Sequence, residues 1–354
     1  MTFPMLFVLS MGIAIPVMTG YEDLFRWNAS EEHVAEQMAP FVVMAEKAEA
    51  AGTELTMSPE ETESYEAQKA MLATHEHAMH AKHAYLNKVF FFVRVLIYFF
   101  IWIFAARFFW KRSVAQDEDG DLAHTDKMRA WSAPMMILFA FTTAFASYDF
   151  LMSLEPAWYS TIFGVYYFAG AAISIFALIS LLSYVLRKSG RLAHSITVEH
   201  YHDFGKLMFA FVFFWAYVAF SQFMLIWYAN IPEETFFFEF RWHTDWQVVS
   251  LILLAVHFLV PFPLLMSRHS KRNLPVLMAF AVWMLVAHWV DMYWLVLPNF
   301  DWFDHSRVFH PMDVMVSVGM AGLFLASTAG ALKKVNLLPT KDPNLSASMK
   351  FENI

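Results

Sequence analysis

Eight runs of mainly apolar residues, at 3–19, 86–109, 133–152, 160–186, 204–229, 246–266, 274–297 and 312–332, dominate this chain of 354 residues. A helix needs about 20 such residues to cross bilayer hydrocarbon. With no water there, every backbone polar group must be bonded inside the segment. The chain is therefore read as all-α and integral to a membrane, with the eight runs as its spans. Hydrophobic residues make up 58% of it and charged ones 16%, well under the roughly 25% of soluble domains, so a soluble fold could not hide this surface. The run 3–19 is the weakest, being short, holding Pro4 and Pro16, and lacking the basic flank of a signal peptide.

The spans divide the chain into a first span (1–19), an acidic excursion (20–85), a main transmembrane region (86–332) and a tail (333–354). Lys and Arg set the orientation. The loops 111–132, 187–203 and 267–273 and the tail hold 14 of them, whereas 20–85, 153–159, 230–245 and 298–311 hold 6. Basic loops stay in the cytoplasm, which puts the tail there and 20–85 on the far side. That excursion carries 13 acidic residues against 4 Lys/Arg, with too few large apolar residues for a core of its own. It reads as a solvated, partner-contacting segment with short helices. The net charge of −8 is concentrated there and gives no sign of a nucleic-acid partner. Cysteine is absent, so this chain holds no disulfide, thiolate metal site, iron–sulfur cluster or c-type haem.

Ionisable residues interrupt four of the spans: Arg94, Asp149, His257, and the pair His288/Asp291. A charge at the bilayer centre costs about 2.5–3.5 kcal/mol on insertion scales, so such residues face a bundle interior and mark proton, ion or cofactor sites. His257 and His288 fall midway through neighbouring spans that are expected to pack antiparallel. Asp291 follows His288 by one turn on the same face. Arg94 and Asp149 share a level near the far side and are candidates to pair.

Three readings stay open for this set. Each residue can serve a helix–helix contact. Together they can form a proton path, with His257 and His288 at mid-membrane and Asp291, Asp149 and Glu155 leading outward. In that path His202, Asp203 and Lys206 supply a cytoplasmic inlet, although Lys206 is close enough to the interface to snorkel. The two histidines can also ligate a haem b, but their flanks offer only alanines where a haem usually needs smaller residues. His75, His77, His80 and His83 form a compositional metal hint, with His77, His80 and His83 along one side of a helix. No H-E-x-x-H pattern is present, and no metal site is assigned. Trp215, Tyr217, Trp227, Tyr228, Trp294 and Trp302 read mostly as interface anchors. A quinone pocket is not singled out.

The stretches SLEPAWYSTIFGVYYFAG (153–170), HDFGKLMFAFVFFWAYVAFSQFMLIWYANIPEET (202–235), HFLVPFPLLMSRHSKR (257–272) and HWVDMYWLVLP (288–298) together resemble the F subunit of alternative complex III. That complex is a bacterial quinol:cytochrome c oxidoreductase, and the subunit belongs to the polysulfide-reductase/NrfD-like membrane proteins. The resemblance covers roughly 85–340. It implies two four-helix bundles in the bacterial cytoplasmic membrane, beside a homologous C subunit. The implied partners are a multihaem cytochrome, an iron–sulfur protein, a monohaem cytochrome c, a terminal oxidase and lipids. Haem and iron–sulfur centres would lie in those partners and none in this chain, with menaquinol a candidate ligand. The subunit's implied role is scaffold and proton conduit. Such proteins have about ten spans, so two N-terminal spans are expected to be missing, or Met1 to be internal. The rival class is a transporter or channel, which calls for inverted repeats with paired Gly/Pro breaks. Pro261, Pro263 and Pro275 have no counterpart in the first half.

Overall fold

The computed structural model describes residues 80–299, 311–333 and 336–353. All regular elements among them are helical. Seven helices are long and apolar enough to cross a membrane, and they coincide with the last seven expected spans. The first span, nearly all of the acidic excursion, His75, His77 and Trp302 lie outside the described residues. Apolar side chains also cover the outer helix faces: Phe100 is 69% exposed, Phe141 62% and Leu225 60%. Patches of that kind are not left to water. This is a multi-pass membrane architecture.

The long helices are α1 (Lys88–Asp119), α2 (Ala123–Phe150), α3 (Phe163–Lys188) and α4 (Val198–Ala229). A short α5 (Pro232–His243) follows. The next span is built in pieces: α6 (Trp246–Leu254), a π-turn (Ala255–Leu259) and α7 (Pro261–Met266). A basic turn of helix, α8 (Arg268–Arg272), leads into α9 (Leu274–Val296). Then come α10 (Pro311–Leu332) and α11 (Leu345–Met349).

Two expected loops are helical instead. Residues 111–132 extend α1 and α2 well past the apolar runs, and only 120–122, led by Gly120 at φ 77°, separate them. The segment is rich in helix formers, and Gln116 donates to the Thr125 hydroxyl across the break at 2.7 Å. Residues 230–245 hold α5. Asn230 ends α4 in the left-handed region at φ 51°, and Pro232 then opens α5 at its first turn. Glu233 and Glu234 sit at its start, with Arg241 and His243 at its end, each matched to the helix dipole. Both segments fall outside the apolar runs by which the spans were read.

The chain forms two compact units. Among described residues the smaller contains 80–97 and 152–159, and the larger contains 98–151, 160–299, 311–333 and 336–353. Within the smaller unit, Lys82 Nζ donates to the carbonyls of Pro156 (2.5 Å) and Trp158 (3.4 Å). Burial holds the Lys82 pKa below the usual lysine value, and the nearby Glu155 carboxylate opposes that shift. The helix around His80 ends at Lys82, so His83 lies in a turn and the expected one-sided His stripe stops at His80.

In the larger unit α3 is central, packing against α2, α4 and α9. Its approach to α2 depends on Gly164. A Cβ built there would sit 2.6 Å from Ala144 Cβ and 2.9 Å from Ala144 Cα. Gly164→Val is expected to lower the thermal midpoint of the detergent-purified protein, by an overpacking cost of about 1–3 kcal/mol. An unchanged melting curve would show that the two helices separate freely.

Candidate functional site

Asp291 lies on α9, fully buried, one turn beyond the middle of its span. A lone carboxylate there is costly unless donors surround it. Two helices supply them. Tyr166 on α3 donates its hydroxyl to Asp291 Oδ1 in a short hydrogen bond. Trp215 on α4 donates its indole N–H to Oδ2 at 3.1 Å. His288, one turn earlier on α9, places Nδ1 3.4 Å from the same Oδ2.

His257 completes the group from the π-turn. It is fully buried, and its ring stacks on Trp215 with centroids 3.9 Å apart. The His288 ring lies 6.2 Å away, centroid to centroid. Neither ring nitrogen of His257 has a hydrogen-bond partner among the described residues. An unsatisfied buried donor costs about 1–3 kcal/mol. A residue that keeps both nitrogens uncommitted at that cost is set apart from an ordinary packed histidine.

The π-turn has a chemical cause. Pro261 has no N–H to give the His257 carbonyl, and Pro263 has none for Leu259. The Val260 N–H bonds back to the Ala255 carbonyl at 2.9 Å, one residue beyond the α-helical partner. That leaves the Val256 carbonyl without its helical donor. The indole N–H of Trp283 on α9 fills the place at 2.7 Å. Such one-turn π segments often mark functional positions, and here the turn carries His257.

Gly170 on α3 makes room for His288. A Cβ at that position would fall 2.5 Å from His288 Cε1 and 2.7 Å from Nδ1. Arg241 on α5 braces the same helix from its carbonyl end. This buried guanidinium donates to the carbonyls of Trp294 (3.3 Å) and Leu295 (3.4 Å), among the last groups of α9, which have no partner within the helix. A third bond goes to the Phe237 carbonyl at 2.9 Å.

The structure thus brings His257, His288 and Asp291 together. Other candidates lie elsewhere. Asp149, buried at the end of α2, accepts from the Tyr98 hydroxyl at 2.6 Å. In the smaller unit, Arg94 donates to the Tyr85 carbonyl at 2.8 Å and lies 3.8 Å from the Tyr85 ring centroid. Glu155, in the same unit, accepts from the Ala157 N–H at 3.3 Å. Asp203 and Lys206 form an ion pair at 2.6 Å near the start of α4, both partly exposed. Lys206 also reaches Asn353 of the tail. Exposed pairs of this sort contribute little. His202 is buried beside them, with Nδ1 unpartnered among the described residues. Nearby Lys271 has its pKa pushed below the usual lysine value by burial and then by the Lys206 charge. From His202 to Trp215 along α4 is roughly 20 Å. The buried face between them carries Gly205, Met208 and Val212.

Reading the sequence alone missed Tyr166, Gly170 and Arg241, and misjudged Trp215. Trp215 is not an interface anchor: it is 4% exposed and bonded to the carboxylate, whereas Tyr217, Trp227 and Tyr228 do face outward. One signal was available. Tyr166 and Gly170 are i, i+4 and share a face of α3, inside the first segment quoted for the resemblance.

As metal ligands, His257, His288 and Asp291 offer atoms within 4.8 Å of one another. Zinc bonds of about 2.0–2.2 Å would need a tighter set. Both Asp291 oxygens already accept hydrogen bonds. The arrangement suits proton exchange better: an acid, two imidazoles and a phenol within reach of one another. Compared with known proteins, the chain matches no protein-family model and no curated sequence.

Tyr166 and Asp291 act as one unit. Tyr166→Phe and Asp291→Asn are therefore expected to be non-additive in a thermal double-mutant cycle, by about 0.5–3 kcal/mol. Additive losses would mean the contact is incidental.

Proposed function

We propose that this chain is a non-redox membrane subunit of a bacterial quinol:cytochrome c oxidoreductase of the alternative complex III type. In this reading it scaffolds the complex and moves protons through the Tyr166–Asp291–His288–His257 cluster. The observation that carries the proton role is Asp291, buried inside a span with two histidines grouped within 4.8 Å of it, one of which keeps both ring nitrogens uncommitted. Intramembrane Asp and His chains of this kind serve proton relays in pumps and transporters. The assignment to a respiratory complex rests on the sequence resemblance over 153–235, 257–272 and 288–298, whose segments contain all four cluster residues and Trp215.

In this mechanism Asp291 accepts a proton while Tyr166 and Trp215 stabilise its charged form. His288, beside Oδ2, exchanges that proton, and His257 extends the chain toward the π-turn. Asp149 and Glu155 are placed on the outer route, with His202, Asp203 and Lys206 on the inner one. A quinol bound in the complex supplies protons and electrons, and the haem and iron–sulfur centres belong to partner subunits. The chain lies in the cytoplasmic membrane with its tail on the cytoplasmic side, as the Lys/Arg counts favour.

Asp291→Asn and His288→Ala, in complexes that still assemble, are expected to slow proton release coupled to cytochrome c reduction by roughly a hundredfold. Lys127→Gln, exposed and outside the cluster, serves as the control. Unchanged coupling in both cluster variants would reduce these residues to packing. Purification without any cytochrome would overturn the respiratory assignment and favour a transporter.

A further inference from the structure

Along α1 the side chains form two ridges at helical spacing. One is Phe100, Phe104, Phe108 and Arg112; beside it run Ile103, Arg107, Lys111 and Ala115. The three phenylalanines stack in sequence, with centroids 6.2 Å apart at each step. Among the described residues these ridges, with His124 of α2, line an open groove of about 610 Å³. It is apolar toward Phe100 and cationic toward Lys111.

The dimensions match one leaflet. Phe100 to Arg112 spans roughly 18 Å of helix, and half of a bilayer's hydrocarbon is roughly 15 Å. Phe100 is twelve residues into α1, near the bilayer centre, and the cations sit where headgroups begin. Arg107 and Lys111 are exposed and have no acidic partner among the described residues. Arg112 is only 3.5 Å from His124 Nδ1, and His124 itself is bonded to Asp119 at 3.0 Å. Among the described residues, none of the three cations at the mouth of this greasy channel is paired with a carboxylate.

We infer that this groove binds an anionic phospholipid, one acyl chain against the phenylalanine ridge and the phosphate among Arg107, Lys111 and Arg112. Basic pockets at the cytoplasmic ends of membrane helices recognise such headgroups. A quinone would fill the apolar part but has no charge for the mouth. A zwitterionic lipid brings its own ammonium against the same three cations. The site lies outside the histidine cluster and stands whether or not that cluster moves protons.

The test is lipid retention by the full chain in its purified assembly. The protein is equilibrated with vesicles of equal phosphatidylglycerol and phosphatidylcholine, washed in detergent, and its bound lipid counted by native mass spectrometry. Each basic residue near the headgroups contributes about fivefold to the binding of an anionic lipid, so three predict roughly a hundredfold preference for phosphatidylglycerol. The Arg107→Gln/Lys111→Gln/Arg112→Gln variant should lose it. Lys127→Gln/Arg129→Gln, on the same side but off the groove, should keep it. If the triple variant does not assemble, Lys111→Gln alone should lower the preference about fivefold. Equal retention of both lipids by the wild type overturns the site. So does an equal loss in the two charge variants, which would reveal a diffuse surface attraction.

Discussion

A carboxylate buried inside a membrane span is costly without neighbours, and the larger unit is organised around supplying them to Asp291. α9 brings the acid and His288. α3 provides Tyr166 and the space at Gly170, and α4 provides Trp215. Each donor comes from a different helix, so the carboxylate fixes how those helices rotate about their axes. Apolar packing in lipid is weakly directional, because the alternative surroundings are equally apolar. The polar contacts therefore choose among packings that hydrophobicity leaves nearly equivalent.

The same logic explains the placement of Arg241. The carbonyl end of α9 lies inside protein, where water cannot satisfy it. A buried guanidinium over aromatic rings, 3.5 Å from the Phe237 ring centroid, does so instead. Its position in a short helix between two spans makes α5 part of the frame holding the site rather than a connector.

Seven spans were legible in the sequence because run length is set by bilayer thickness, a one-dimensional quantity. The pairing of His257 with His288 and Asp291 was legible for a similar reason: the spans are sequence neighbours joined by a short basic segment. What stayed hidden depends on helix rotation and on third partners. Trp215 looks like any aromatic near a membrane surface until α4 is rotated to face α9. Tyr166 and Gly170 share a face four residues apart, but the aromatic run around them does not show that this face turns inward. The π-turn could be suspected from Pro261 and Pro263, but that Trp283 would receive the freed carbonyl depends on how α9 lies beside it. The segments 111–132 and 230–245 were read as loops because they fall outside the apolar runs, although at 230–245 the order of charge, Glu233 and Glu234 before Arg241 and His243, already matched a helix.

Trp283 has one more consequence. In an unbroken helix a histidine moves with its own backbone ladder, and a neighbouring helix can slide past it. Here the ladder is open at Val256 and closed by a side chain of the next span. The two histidine-bearing segments are thereby geared: an axial shift of α9 by even part of a turn would unseat the carbonyl as well as move His288. Their spacing is protected against drift, and any motion that changes it must involve both spans at once.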